Sequence, residues 1–99
     1  VFFTLVDPSG DARARLVAAC RKYLTDHDGS VFFSVGTRAD AFARPVNVRD
    51  WDVALHIHFR DQDSHDRYQE APRHQQFIEE QQGNWKTVRV FDSWVEDSK

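Results

Sequence analysis

The sequence predicts an α+β domain in which one antiparallel sheet carries helices on a single face. Three observations predict it. Four short runs rich in β-branched and aromatic residues lie at 1–6, 31–36, 51–59 and 85–94, and such runs favour strands. Apolar residues at helical spacing fill the stretch between the first and second runs and the stretch between the third and fourth. The resulting order, β-α-β-β-(αα)-β, is satisfied by one sheet with its helices on one side.

The first strand, VFFTLV, is closed by Asp7-Pro8. It is apolar on both faces, which predicts burial on both sides. A helix is expected over 9–27, with Ser9 as N-cap and Asp11 in the first turn. Its stripe is Ala12, Leu16, Ala19, Cys20, Tyr23 and Leu24, while Arg13, Arg15, Arg21 and Lys22 fall mostly off it. Gly29 is read as the residue that ends the helix. After the second strand, VFFSVG, residues 37–50 form a long connection, because Pro45 forbids a regular element through its middle.

Residues 51–59 alternate most clearly. Trp51, Val53, Leu55, Ile57 and Phe59 are expected on the face beneath the helices, with Asp52, Ala54, His56 and His58 opposite. A short helix over 61–70 is expected to be capped by Asp63 or Ser64. Pro72 then opens another at the position where a missing N–H costs nothing, and Gly83 ends it. His74, Phe77, Ile78 and Gln81 share one face of it. The last strand is expected over 85–94.

Size and composition bound the function. The 99 residues make a single domain, 1–99. A chain this short buries only about 65% of its unfolded surface, so its core is thin. The face bearing Phe2, Val6, Ala54, His56, His58 and Phe91 is too apolar for water. A symmetric partner sheet is the expected cover, which makes the chain its own partner in a homodimer. Net charge is −3, with both signs mixed along the chain and no Lys/Arg stripe, so nucleic acid is not an expected partner. No apolar run approaches the ~20 residues that span a bilayer, and neither a membrane partner nor a signal peptide is expected. The lone Cys20 fits a reducing, cytoplasmic setting. There is no Met, and a natural start upstream of Val1 is expected.

Three collinear stretches give the chain a resemblance that spans almost its whole length. They are VFFTLVDPS, then VFFSVGTRA with RPVN and WDVALHIHF, and then RYQEAPRHQQFIEEQQGNWKTVRVFDS. In the last, Tyr68, the turn Pro72-Arg73-His74, Trp85 and Phe91-Asp92 carry the pattern. The chain resembles the stress-responsive A/B barrel (Dabb) family of dimeric α/β barrels. That resemblance implies a ferredoxin-like fold and a sheet-to-sheet dimer. The family includes a plant polyketide cyclase that uses a Tyr and a His as an acid/base pair. The matching positions here are Tyr68 and His74. Of two further histidines in that cyclase's pocket, one matches Val53 and is absent, and the other would lie just before Val1.

His74 sits on an apolar helix face, and its ordinary pKa suits proton transfer. Tyr68, six residues earlier, is the expected partner across the Pro72 turn. Read as function, the two are an acid/base pair at the mouth of a pocket. Read as structure, His74 is a satisfied core histidine joining two helices. Burial and the first-turn N–H groups of its helix are both expected to lower its pKa. His56 and His58 form a His-x-His on one strand face, which suits dimer-interface hydrogen bonds better than a metal lacking further ligands. His56 or His65 as a haem ligand has no specific support, so no metal and no cofactor is expected. Arg38, Arg44, Asn47 and Arg49 lie in or near the long connection, where arginines can grip a carboxylate or phosphate. A solvated loop balanced by Asp40 and Asp50 is preferred. Cys20 reads as a small core hydrophobe, and Glu79, Glu80, Glu96 and Asp97 as solvated.

Two functions remain open. In the first, the domain is a homodimer with a small apolar pocket and no assignable reaction. In the alternative, it is a cyclase-like enzyme in which Tyr68 and His74 move protons on an aromatic or polyketide-like molecule. The expected lining of that pocket comes from the first helix (Leu16, Val17, Cys20), from Phe77, and from the sheet residues Leu55, Trp85, Val88 and Val90. A cavity in the range of ~300 to 1,000 Å³ reaching His74 favours the enzyme, and a filled interface favours the first reading.

Overall fold

The computed structural model describes residues 1–96; of the residues named above, Asp97 lies outside them. Its elements are β1 (Phe2–Leu5), α1 (Gly10–Tyr23), β2 (Ser30–Thr37), β3 (Val53–Phe59), α2 (Gln62–Glu70), α3 (Pro72–Gln81) and β4 (Trp85–Arg89), with one 3-10 turn, Gln82–Asn84, ahead of β4. The four strands form one sheet in the order β2-β3-β1-β4, every neighbouring pair antiparallel. The slab is 36 × 35 × 17 Å, the thickness of one sheet and one helical layer.

The core lies between sheet and helices. Phe3, Leu5, Val53 and Leu55 meet Leu16, Cys20, Leu24, Tyr68 and Phe77, all buried. β1 divides its residues between the two faces: Phe3 and Leu5 are buried beneath the helices, whereas Phe2 and Thr4 are half-buried. The helix starts follow local chemistry. Ser9 Oγ accepts the Ala12 N–H at 3.2 Å, and Pro72 stands at the head of α3. The cap of α2 is Asp61, whose carboxylate accepts the Ser64 N–H at 2.8 Å, in place of the expected Asp63 or Ser64.

Three further expectations are corrected. First, α1 ends at Tyr23, before Gly29. Gly29 instead has φ +82, and a Cβ there would overlap the Ser64 hydroxyl. Its role is close approach of the chain to α2, where its carbonyl accepts the Arg60 N–H at 2.8 Å. Second, β4 stops at Arg89, opposite Phe2. The strand expected over 85–94 is therefore cut back to Trp85–Arg89.

Third, Trp51 and Asp52 exchange faces. β3 begins only at Val53. Trp51 packs edge-to-face on Phe2, ring centres 5.0 Å apart. Asp52 is buried and accepts from the Leu5 N–H and from Arg13 Nη2, both at 2.8 Å. The carboxylate supplies the acceptor that a continuing strand would have given Leu5, and Arg13 of α1 draws it under the helix.

Candidate functional site

Tyr68 comes from the last half of α2 and His74 from the first turn of α3. The break at Ala71-Pro72 turns α3 back so that their rings lie 4.6 Å apart, tilted by 57°. No hydrogen bond joins them among the described residues. His74 Nδ1 is buried and has no partner there. Two more rings wall Tyr68, Phe59 and His27, each with centres 4.9 Å away. His27 is held in turn by the Tyr23 carbonyl, 2.7 Å from its Nε2.

Burial sets the protonation of the pair. It pushes the Tyr68 phenol well above its ordinary range. It pulls the His74 imidazole down; the Gln69 main chain opposes that shift, and His27 and His65 add to it. Both groups are therefore neutral at pH 7. A neutral phenol donates a hydrogen bond, for instance to a carbonyl, and a neutral imidazole accepts a proton.

A cavity of about 890 Å³ opens between β3, α2 and residues 90–96. Leu55, Ile57, Phe59, Tyr68 and Val90 supply apolar wall, and His65 and Gln69 add polar groups; His74 is not on its surface. Val1 exchanges both main-chain bonds with Leu55, each at 2.8 Å. β3 runs four residues further, to Phe59, alongside the cavity.

The other expected lining residues are elsewhere. Leu16, Cys20 and Phe77 are packed in the core, with Val17 and Trp85 against them. Burial pushes the Cys20 thiol up to about 12, which leaves it no thiolate. Val88 lies on β4 and is 39% exposed.

Phe2, Ala54, His56, His58 and Phe91 share the open face of the sheet. Phe2 packs edge-to-face on His56 at 5.9 Å and on Phe91 at 5.8 Å. Phe32 lies 5.0 Å from His58. Phe91 is 68% exposed and Phe32 49%. Among the described residues no group of three or more His, Cys, Asp or Glu side chains is placed to hold a metal. No described helix is long and apolar enough to cross a membrane.

The model of the stress-responsive A/B barrel domain matches residues 1–95. The chain belongs to this family. Among solved structures, this A/B barrel domain is similar to a dimeric ferredoxin-like protein of unknown function from Thermobifida fusca YX. The likeness has a TM-score of 0.69 and 15% identity over 87% of this chain and 77% of that one. No curated protein matches it significantly. The ferredoxin-like fold expected from the sequence is thus the fold of the domain.

Within this A/B barrel domain two residues carry weight that sequence reasoning missed. His27 completes the ring cluster around Tyr68, and no local pattern marked it. Arg73 donates to the Lys22 and Thr25 carbonyls at 2.8 and 2.9 Å, so it satisfies the C-terminal end of α1 from the start of α3. A basic residue just inside a Pro-started helix was the available signal.

Proposed function

We propose that this A/B barrel domain works as a sheet-to-sheet homodimer that holds a small apolar or aromatic molecule beside Tyr68. The observation that carries the ligand is the cavity of about 890 Å³ with Tyr68 on its wall. Its size suits a drug-sized molecule; Leu55, Ile57, Phe59, Tyr68 and Val90 give it an apolar stretch of wall, and the rest of the lining is largely polar, with Asp61, Asp66, Asp92 and Glu96 among it. The dimer is supported by the aromatic open face, by a slab only 17 Å thick, and by the dimeric state of the Thermobifida protein. A buried, unpaired Cys20 suits a reducing, cytoplasmic setting.

The test uses a neutral fluorescent probe, N-phenyl-1-naphthylamine. Saturable binding is expected, weakened about tenfold or more by Val90→Asp, which puts a charge on the cavity wall at a position already exposed. A probe that does not saturate, or binding indifferent to Val90→Asp, overturns the reading.

One observation favours the enzymatic alternative, the 4.6 Å approach of the Tyr68 and His74 rings. In it Tyr68 donates to a ligand carbonyl and His74 takes a proton from the adjacent carbon, as in a cyclase-like condensation. The half-buried imidazole has no surface on the cavity, which is why the binding reading is preferred. On a substrate that turns over, Tyr68→Phe and His74→Gln should abolish turnover with binding retained. If both variants turn over as the wild type does, the alternative is lost.

A further inference from the structure

The long connection between β2 and β3 folds back across one end of the open sheet face. There it closes a second cavity, of about 380 Å³, in which His56 is the one residue shared with the Tyr68 cavity. Phe42, Val48, Trp51 and Ala54 give it apolar walls, while Arg38, Arg49 and Asn47 give it polar groups. Among the described residues the lining holds two guanidiniums and no carboxylate; Asp40, just outside it, pairs with Arg38 and leaves Arg49 as the cation without an ion pair that an anion would meet.

The donors are placed by the fold. Arg38 Nε binds Asp40 Oδ1 at 2.6 Å, and its Nη1 donates to the carbonyls of Arg49 and Trp51. The guanidinium is thereby fixed across the connection instead of waving from it. Arg49 makes no ion pair among the described residues, and its nearest acceptor is the Asp40 carbonyl at 3.4 Å. Asn47 uses its Oδ1 to accept from the Arg44 main chain at 2.9 Å, which leaves its Nδ2 as a donor. Trp51 is held by its own N–H, which donates to the Val48 carbonyl at 2.8 Å. An arginine fork matches a carboxylate in two parallel hydrogen bonds. Flat aromatic walls match a ring.

We propose that this pocket is a second binding site, for a small aromatic carboxylate, with its ring against Trp51 and Phe42 and its carboxylate on Arg49 and Arg38. The volume lies at the small end of ligand pockets, which fits an acid of one or two rings. Bare phosphate would leave the aromatic walls unused, and a neutral ring would leave the cationic groups unused.

The experiment follows the Trp51 indole N–H by NMR, assigned through Trp51→Phe, while benzoate, benzamide or inorganic phosphate is added. Benzoate should give a saturable shift, and benzamide should bind about tenfold more weakly for want of a charge. Arg49→Gln should weaken benzoate about tenfold and leave the melting temperature and the unliganded Trp51 signal unchanged. Arg49 suits this test because its side chain makes one long hydrogen bond, to the Asp40 carbonyl, whereas that of Arg38 makes three. No saturation with benzoate up to about 10 mM overturns the proposal. So does equal binding of benzoate and benzamide, an Arg49→Gln variant that binds as the wild type, or phosphate that binds as tightly as benzoate.

Discussion

Arg13 Nη2 and Asp52 Oδ1 lie 2.8 Å apart beneath α1, with side chains only 17% and 7% exposed. The carboxylate also accepts the Leu5 N–H, so one side chain ties α1 to the ends of β1 and β3. Removing one partner of such a buried pair strands the other and typically costs ~3 to 5 kcal/mol. Asp52→Ala should therefore lose stability in that range. Asp52→Asn should lose less, because an amide oxygen still accepts from Leu5. Urea unfolding measures both, and an alanine variant within about 1 kcal/mol of wild type would contradict this account.

Gly29→Ala tests the close approach of β2 to α2. Its φ of +82 disfavours any Cβ, and the space such a Cβ needs is held by Ser64. Strain and overlap together should cost about 2 kcal/mol or more. The double variant with Ser64→Gly should recover the overlap but not the backbone strain. If the double variant is no more stable than Gly29→Ala, Ser64 is not the obstacle.

These two sites also show what local patterns contain. The alternation of Val53, Leu55, Ile57 and Phe59 was legible because period two is a property of one strand. Pro72 announced α3, and the stripe of Leu16, Cys20 and Tyr23 announced α1, for the same reason. Trp51 broke the pattern because Asp52 answers to Leu5 and Arg13, which lie far away in the chain. β4 was overread because Val90, Phe91 and Trp94 are strand-like residues, while whether a run is paired is not a local property. In the candidate site, Tyr68 and His74 could be paired across a six-residue gap. His27 could not, since its approach to Tyr68 depends on how α1 and α2 both pack against α3.

The lowered pKa of His74 predicts a pH dependence of stability. An imidazole whose folded-state pKa lies below its unfolded value of ~6.5 binds fewer protons when folded. Stability is then unaffected by this group well above pH 6.5 and falls as pH drops from there toward the lowered folded value. The carboxyls of Asp40 and Asp61 are held low by hydrogen bonds from Arg38 and Ser64. Their contribution is lost in a separate window below about pH 4. Melting temperatures at about pH 7.5 and 5.5 should therefore differ more for the wild type than for His74→Gln. Equal slopes would show that the imidazole is exposed, or paired with a charge, in solution.

The dimer is tested on the open face of the sheet. Ala54 sits opposite Phe2 and beside His56, at the middle of the face that the second copy is proposed to cover. Ala54→Asp would place a carboxylate under the second copy, where an unpaired buried charge costs several kcal/mol, but Arg38 and Arg49 line the same cavity as Ala54 and offer it partners. Ala54 is already only 8% exposed in one copy, so that variant strains the single subunit as well. Phe91→Asp separates the two effects. Phe91 is 68% exposed in one copy, and an aspartate there costs the single subunit only the edge contact with Phe2 until a partner sheet covers it. Sedimentation should show the wild type dimeric at micromolar concentration. It should show Phe91→Asp as a folded monomer, with dimer affinity lowered about a hundredfold or more, the equivalent of ~3 kcal/mol. A monomeric wild type removes the dimer, and a Phe91→Asp dimer of undiminished affinity moves the interface off this face.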